Sequence, residues 1–228
     1  MSSSTPLLRS PAAAYVAPFA VFVALMAVEH SFGLPPQWFY PVRIAATAAA
    51  LLWFARSAEI HRPSSLLGSA AIGAAVFLIW IGPDVLFGPA YRHFWLFENS
   101  VTGAAASSAP EALKHNRTFI VIRTLGCAAL VPVVEELFWR GWLMRWLVAR
   151  EFQKVPLGTY APMAFWGVAV MFASEHGPYW EVGLIAGIVY NWWMVRTRNL
   201  GDCIVAHAVT NALLSAYVLM TGAWQYWL

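Results

Sequence analysis

Apolar residues run through this chain in long blocks rather than in narrow stripes. The blocks cover about 12–29, 42–55, 66–87, 112–150, 160–175, 182–197 and 202–221, parted by short stretches rich in Arg, Pro and Gly. A helix needs about 20 residues to cross ~30 Å of hydrocarbon. In lipid every backbone polar group must be paired within its own segment, which a helix achieves. The pattern therefore predicts an all-α fold, a polytopic transmembrane helical bundle of about seven or eight spans. The count turns on 112–150, which is too long for one span and carries Pro132 at its centre. Proline removes a donor and crowds the preceding turn, so this block is one long kinked helix or two successive helices.

The polar stretch 1–11 reads as a flexible N-terminus and 12–228 as a single integral membrane domain. Arg9 before the first apolar run resembles the start of a signal peptide. The run has no A-x-A cleavage site before Glu29 and His30, however, so an uncleaved first span is expected. Pro35, Pro36 and Pro41 with Trp38, Phe39 and Tyr40 read as a rigid interfacial loop. Tyr91–Phe97, within the longest connection (88–117), reads as a segment lying on the membrane surface.

Composition agrees. The 228 residues are 60% hydrophobic and 11% charged, against about 25% charged in soluble domains. Thirteen Trp and eight Tyr suit interfacial aromatic belts. The net charge of +3 is carried by Lys and Arg near span ends. No basic face or nucleic-acid motif accompanies it, so nucleic acid is not an expected partner. With seven spans, Arg9, Arg56, Arg62, Arg145, Arg150, Lys154, Arg196 and Arg198 share one side, and Arg43, Arg92, Lys114 and Arg117 the other. That bias favours an N-terminus inside, but a break at Pro132 into two full spans would invert everything downstream. Cys127 and Cys203 show no CxxC or Cys/His metal spacing and read as packed residues without a disulfide.

Three apolar segments carry residues that lipid does not tolerate alone. The first holds Glu135, Glu136 and Arg140. An ionised group at the centre of a membrane helix costs a few kcal/mol on insertion scales. Glu136 and Arg140, four apart, can pair. Glu135 is rotated about 100° away, which leaves it available as a general base. The second segment ends in Glu175 and His176 before Gly177-Pro178, with Glu175 expected at the interface. The third presents His207 and Asn211 from one face. Taken singly, each has a plainer reading: a helix end snorkelling to the surface, an interfacial histidine, an interhelical hydrogen-bond clamp. Together they need partners, and one shared polar cavity is the cheapest solution. A base, an imidazole and two donors in one cavity suit water-mediated amide hydrolysis.

Glu135-Glu136…Arg140, then Phe172…His176, then His207…Asn211 resembles the E-E-x-x-x-R, F-x-x-x-H and H-x-x-x-N motifs of the CAAX-protease and bacteriocin-processing (abortive infection) family of type II CAAX prenyl endopeptidases. The resemblance covers about 115–221, and the exosortase-associated bacterial branch is the nearest match suggested. It implies an intramembrane endopeptidase acting on a membrane protein or peptide, multi-pass in a bacterial inner membrane. Glu135 with His176 would activate water, His207 and Asn211 would form the oxyanion hole, and Glu136 with Arg140 would hold the site. No cofactor is required on that mechanism. A zinc site of Glu135, His176 and His207 is the alternative, although no H-E-x-x-H helix is present. Two other classes stay in view. A non-enzymatic immunity or scaffold factor would use the polar cluster structurally. A small carrier would use the glutamates, but the repeat symmetry common in carriers is missing.

Overall fold

The structure is a computed structural model that describes residues 10–227. Residues 1–9, with Arg9 and most of the expected flexible N-terminus, lie outside the described residues. The chain is an all-α membrane bundle. Among the described residues seven helices follow one another: α1 (Ala13–Phe32), α2 (Pro36–Phe54), α3 (Leu66–Phe87), α4 (Arg117–Trp146), α5 (Pro162–Ser174), α6 (Trp180–Thr197) and α7 (Leu200–Thr221). Of these, α1, α2, α3, α4 and α7 are long and apolar enough to cross a membrane. With 13 residues, α5 reaches only about 20 Å.

One expectation changes, and one open alternative is decided. The Pro35–Pro41 stretch is not a loop: Pro36 opens α2 and Pro41 lies inside it. A proline in the first turn gives up an N–H that has no helical partner, and its fixed φ suits the helix. At Pro132 the first of the two alternatives, one long helix, is the one present. α4 runs without interruption for 30 residues, about 45 Å, because two wider π-type segments, Gly126–Leu130 and Leu137–Leu143, are built into it. The inversion left open by the sequence therefore does not occur.

The closest pairings are α3 with α7, α5 with α6 and α1 with α2. Membrane helices associate through close packing of small residues, and Gly73 shows why. A Cβ there would collide with the Ala206 carbonyl of α7. Without one, α3 approaches closely enough for Thr210 Oγ1 to donate to the Gly73 carbonyl at 2.8 Å.

Contacts between connections define two ends of the bundle. At the first, Asp202 at the start of α7 accepts from Ser65 N (2.9 Å), Ser69 Oγ (3.0 Å) and both donors of Ser64. Asn199 Nδ2 there donates to the Arg62 carbonyl (2.8 Å). At the other end, Gly222 turns the chain back in the left-handed region (φ 73°). The segment after it is fastened down: Tyr226 donates to Asp84 (2.6 Å), and the Trp227 carbonyl accepts from Ser108 N (2.7 Å) and Oγ (2.9 Å). Buried Arg92 also bonds Asp84 (2.6 Å), the Pro178 carbonyl (3.0 Å) and Glu181. The Tyr91–Phe97 stretch forms turns rather than a helix, with Phe97 buried and Phe94 and Trp95 exposed.

Candidate active site

The local winding of α4 determines what Asn211 does. Val131 N–H donates to the Gly126 carbonyl, five residues back. The next residue, Pro132, has no N–H. The Cys127 carbonyl thus lacks its usual main-chain donor inside a membrane helix, where an unpaired group costs several kcal/mol. Asn211 Nδ2 fills the gap at 2.9 Å. The bond fixes the orientation of the amide, since a carbonyl only accepts, and leaves its second N–H uncommitted.

One turn further along α4, Glu136 is a junction. Its Oε1 accepts from Arg140 Nη1 and from His207 Nδ1, both at 2.9 Å. Glu136 and Arg140 are fully buried. Arg140 also donates to Asn191 Oδ1 (2.9 Å) and the Gly187 carbonyl (3.4 Å), and Asn191 Nδ2 passes the chain on to the Phe165 carbonyl (2.7 Å). The pairing expected from the four-residue spacing is present. A function the spacing did not reveal is also present: Glu136 orients His207 across a helix–helix contact. A guanidinium only donates, so this oxygen is an acceptor, and the contact with His207 is satisfied by Nδ1–H donating. His207 Nε2 is left turned toward Glu135, 4.0 Å from Oε2. That is beyond hydrogen-bond range, and Glu135 Oε2 is buried without a hydrogen-bond partner.

His176, just past the end of α5, is anchored in the same manner. Its Nδ1 lies 2.7 Å from the Phe172 carbonyl, so Nδ1 carries the hydrogen and Nε2 is the basic nitrogen. Phe172 links the parts. Its ring lies 4.7 Å from the His176 ring and 6.1 Å from the His207 ring, and the Arg140 guanidinium sits 4.7 Å over it. Trp80 meets His176 edge-on at 5.1 Å, and Tyr190 stacks on His207 at 5.1 Å. Glu175 is exposed, as an interfacial residue would be.

Glu135, His176, His207 and Asn211 all line one cavity of about 190 Å³. Glu136 and Arg140 stand behind its wall. Among the described residues, no three His, Cys, Asp or Glu side chains are grouped to hold a metal ion, Glu135, His176 and His207 included. A larger cavity of about 600 Å³ opens between α1, α2 and α4, and Arg123 borders both. Sequence reasoning missed Asn191, Tyr190 and Thr210. Asn191 was visible as an amide in an apolar helix. The Tyr190 hydroxyl, which donates to Thr210 Oγ1 at 2.7 Å, gave no such signal, since Tyr and Thr are common in membrane helices.

A polar cavity roofed and floored inside a helical membrane bundle defines the class of protein. Residues 117–213 match the family model described as type II CAAX prenyl endopeptidase Rce1-like. The match bears out the resemblance seen in the three motifs and contains all seven motif residues; α1, α2 and α3 lie outside it. No curated protein and no solved structure matches the chain.

Proposed function

We propose that this chain is an intramembrane endopeptidase that hydrolyses a peptide bond of a membrane-associated protein or peptide. The observation that carries the reading is the convergence of Glu135, His176, His207 and Asn211 on one cavity. Glu135 Oε2, buried and unpartnered, takes a proton from water as the water oxygen attacks the carbonyl carbon. His176 Nε2 accepts the water's other hydrogen and orients it. The charge developing on the carbonyl oxygen meets the free N–H of Asn211 and the imidazole of His207, which donates through Nε2–H when it carries a hydrogen there. The proton held by Glu135 then passes to the leaving nitrogen as the C–N bond breaks. Glu136, Arg140 and Asn191 are positioning residues.

These steps use only the chain's own side chains. Their test is cleavage of quenched-fluorescent membrane peptides by purified protein in liposomes, with metal analysis of the same sample. Cleavage that disappears in Glu135→Gln supports the reading. Stoichiometric zinc that is lost in His207→Ala together with activity would replace the glutamate mechanism by a metal one. A Glu135→Gln protein with undiminished biological function would favour a scaffold.

A further inference from the structure

Which membrane face the cavity opens to bears on what substrate can reach it, and the structure speaks to this in two independent ways. The first is the direction of the cavity. On α4 its lining residues are Arg123, Cys127, Val131 and Glu135, all N-terminal to the Glu136–Arg140 pair. On α7 the lining runs from His207 toward the C-terminus, ending at Ser215. The two helices are antiparallel, so both rows climb toward the end where Tyr226 and Trp227 form the roof. Below His207 the bundle is closed: Glu136, Arg140, Asn191, Met194, Leu200 and Cys203 have no exposed surface. His207 lies seven residues inside α7 from the Asp202 end, about 10 Å, but that short route is the sealed one.

The second is charge. Because α4 is continuous, every connection can be assigned to an end. At the Asp202 end Arg56, Arg62, Arg150, Lys154, Arg196 and Arg198 are all exposed. At the Tyr226 end Arg92 is buried and bonded to Asp84 and Glu181, Lys114 pairs with Glu111 at 2.6 Å, and Arg117 is the one exposed Lys or Arg among the described residues. Short connections rich in Lys and Arg stay on the cytoplasmic side.

Resting on the proteolytic reading above, we propose that the catalytic cavity is entered from the extracytoplasmic side. Its substrate is then a peptide segment exposed on, or embedded in, the outer face of the membrane, and not a cytosolic tail. The roof of Tyr226 and Trp227 faces the aqueous phase into which the product leaves.

The native cysteines make this testable without activity, because Cys127 lines the cavity and Cys203 is fully buried. Wild-type protein in right-side-out and inside-out vesicles is treated with a small quaternary-ammonium methanethiosulfonate, and the modified cysteine is assigned by mass spectrometry. Val101→Cys and Lys154→Cys, both at exposed sites, report the two faces. The expected result is modification of Cys127 and of Val101→Cys in right-side-out vesicles, with Lys154→Cys modified in inside-out vesicles alone. Modification of Lys154→Cys from the outside would overturn the orientation. Cys127 reacting from the inside alone, or from neither side while Val101→Cys reacts, would overturn the entry route. Glu135→Gln should label as wild type does. Absent cleavage with this labelling pattern intact would therefore count against proteolysis and leave the orientation standing.

Discussion

Glu135 and Glu136 are adjacent in sequence and sit in opposite kinds of surroundings. The floor of the cavity, on the Glu136 face of α4, is closed and bonded: one carboxylate oxygen takes Arg140 and His207, and Arg140 goes on to Asn191. The cavity side, on the Glu135 face, has a carboxylate whose nearest imidazole nitrogen stands off at 4.0 Å and an oxygen without a hydrogen-bond partner. A rotation of about 100° along one helix separates a carboxylate that maintains geometry from one free to exchange a proton. A buried charge persists only when paired, so the unpaired member of such a doublet is the one to suspect of chemistry.

The sharpest way to break this comparison is to truncate each carboxylate in turn. Glu135→Ala should reduce cleavage by about 10²–10⁴, the range for a general base, while the protein still inserts and purifies with an unchanged melting temperature. A normal rate in this variant would show that the unpaired carboxylate is a bystander. On the floor the order reverses. Arg140→Ala leaves Glu136 buried without its cation, and removal of one partner of a buried pair costs about 3–5 kcal/mol. Its thermal midpoint in detergent should fall sharply, and adding Glu136→Gln should recover part of the loss. A double-mutant cycle with no coupling would refute the junction.

Much of this was legible in the sequence, and for a physical reason. Lipid penalises isolated polar groups so heavily that Glu135, Glu136, Arg140, His176, His207 and Asn211 stand out as a set, although each alone has a plainer reading, and helical spacing assigns Arg140 to Glu136. The long apolar blocks marked the seven helices. What spacing could not convey was anything set by a second helix. The four-residue spacing groups His207 with Asn211, its neighbour on one face, yet its Nδ1 belongs to Glu136 of α4. Pro132 leaves a kinked helix and a break both open, because proline can produce either. The π-type turns that absorb it, and the Asn211 amide that satisfies the carbonyl they free, are three-dimensional accommodations. The start of α2 was placed late because prolines read as punctuation, although a first-turn proline starts a helix.

Asn211 belongs to both regions and so sharpens the contrast. Asn211→Ala removes the proposed oxyanion donor, worth roughly 10²–10³ in kcat with KM nearly unchanged. It also strips the Cys127 carbonyl of its donor, at about 1–3 kcal/mol. Rate and melting temperature should therefore both fall. Loss of stability with full kcat would confine Asn211 to the structural half of this role.

The smallest expected effect concerns the roof. Beside the Ser108 bonds to the Trp227 carbonyl, Tyr226 helps hold the segment after Gly222 down through its hydroxyl bond to Asp84 at 2.6 Å, and its ring shields the cavity beneath. Asp84 keeps Arg92 when that hydroxyl is lost, so the anchor behind the roof survives. Tyr226→Phe retains the ring and removes only the bond, which is worth about 0.5–1.5 kcal/mol net. A change near 1 kcal/mol raises the population of the lifted segment roughly 5-fold. Modification of Cys127 by a water-soluble thiol reagent should accelerate by that factor, while the melting temperature barely moves. The floor sets the direction of the test: it is sealed by packed side chains and unaffected by the substitution, so the acceleration must come from the Tyr226 end. An unchanged rate in Tyr226→Phe would mean that the segment does not limit access. Acceleration in Arg140→Ala, at a temperature where that variant is still folded, would mean that the floor leaks and that the cavity has two entrances.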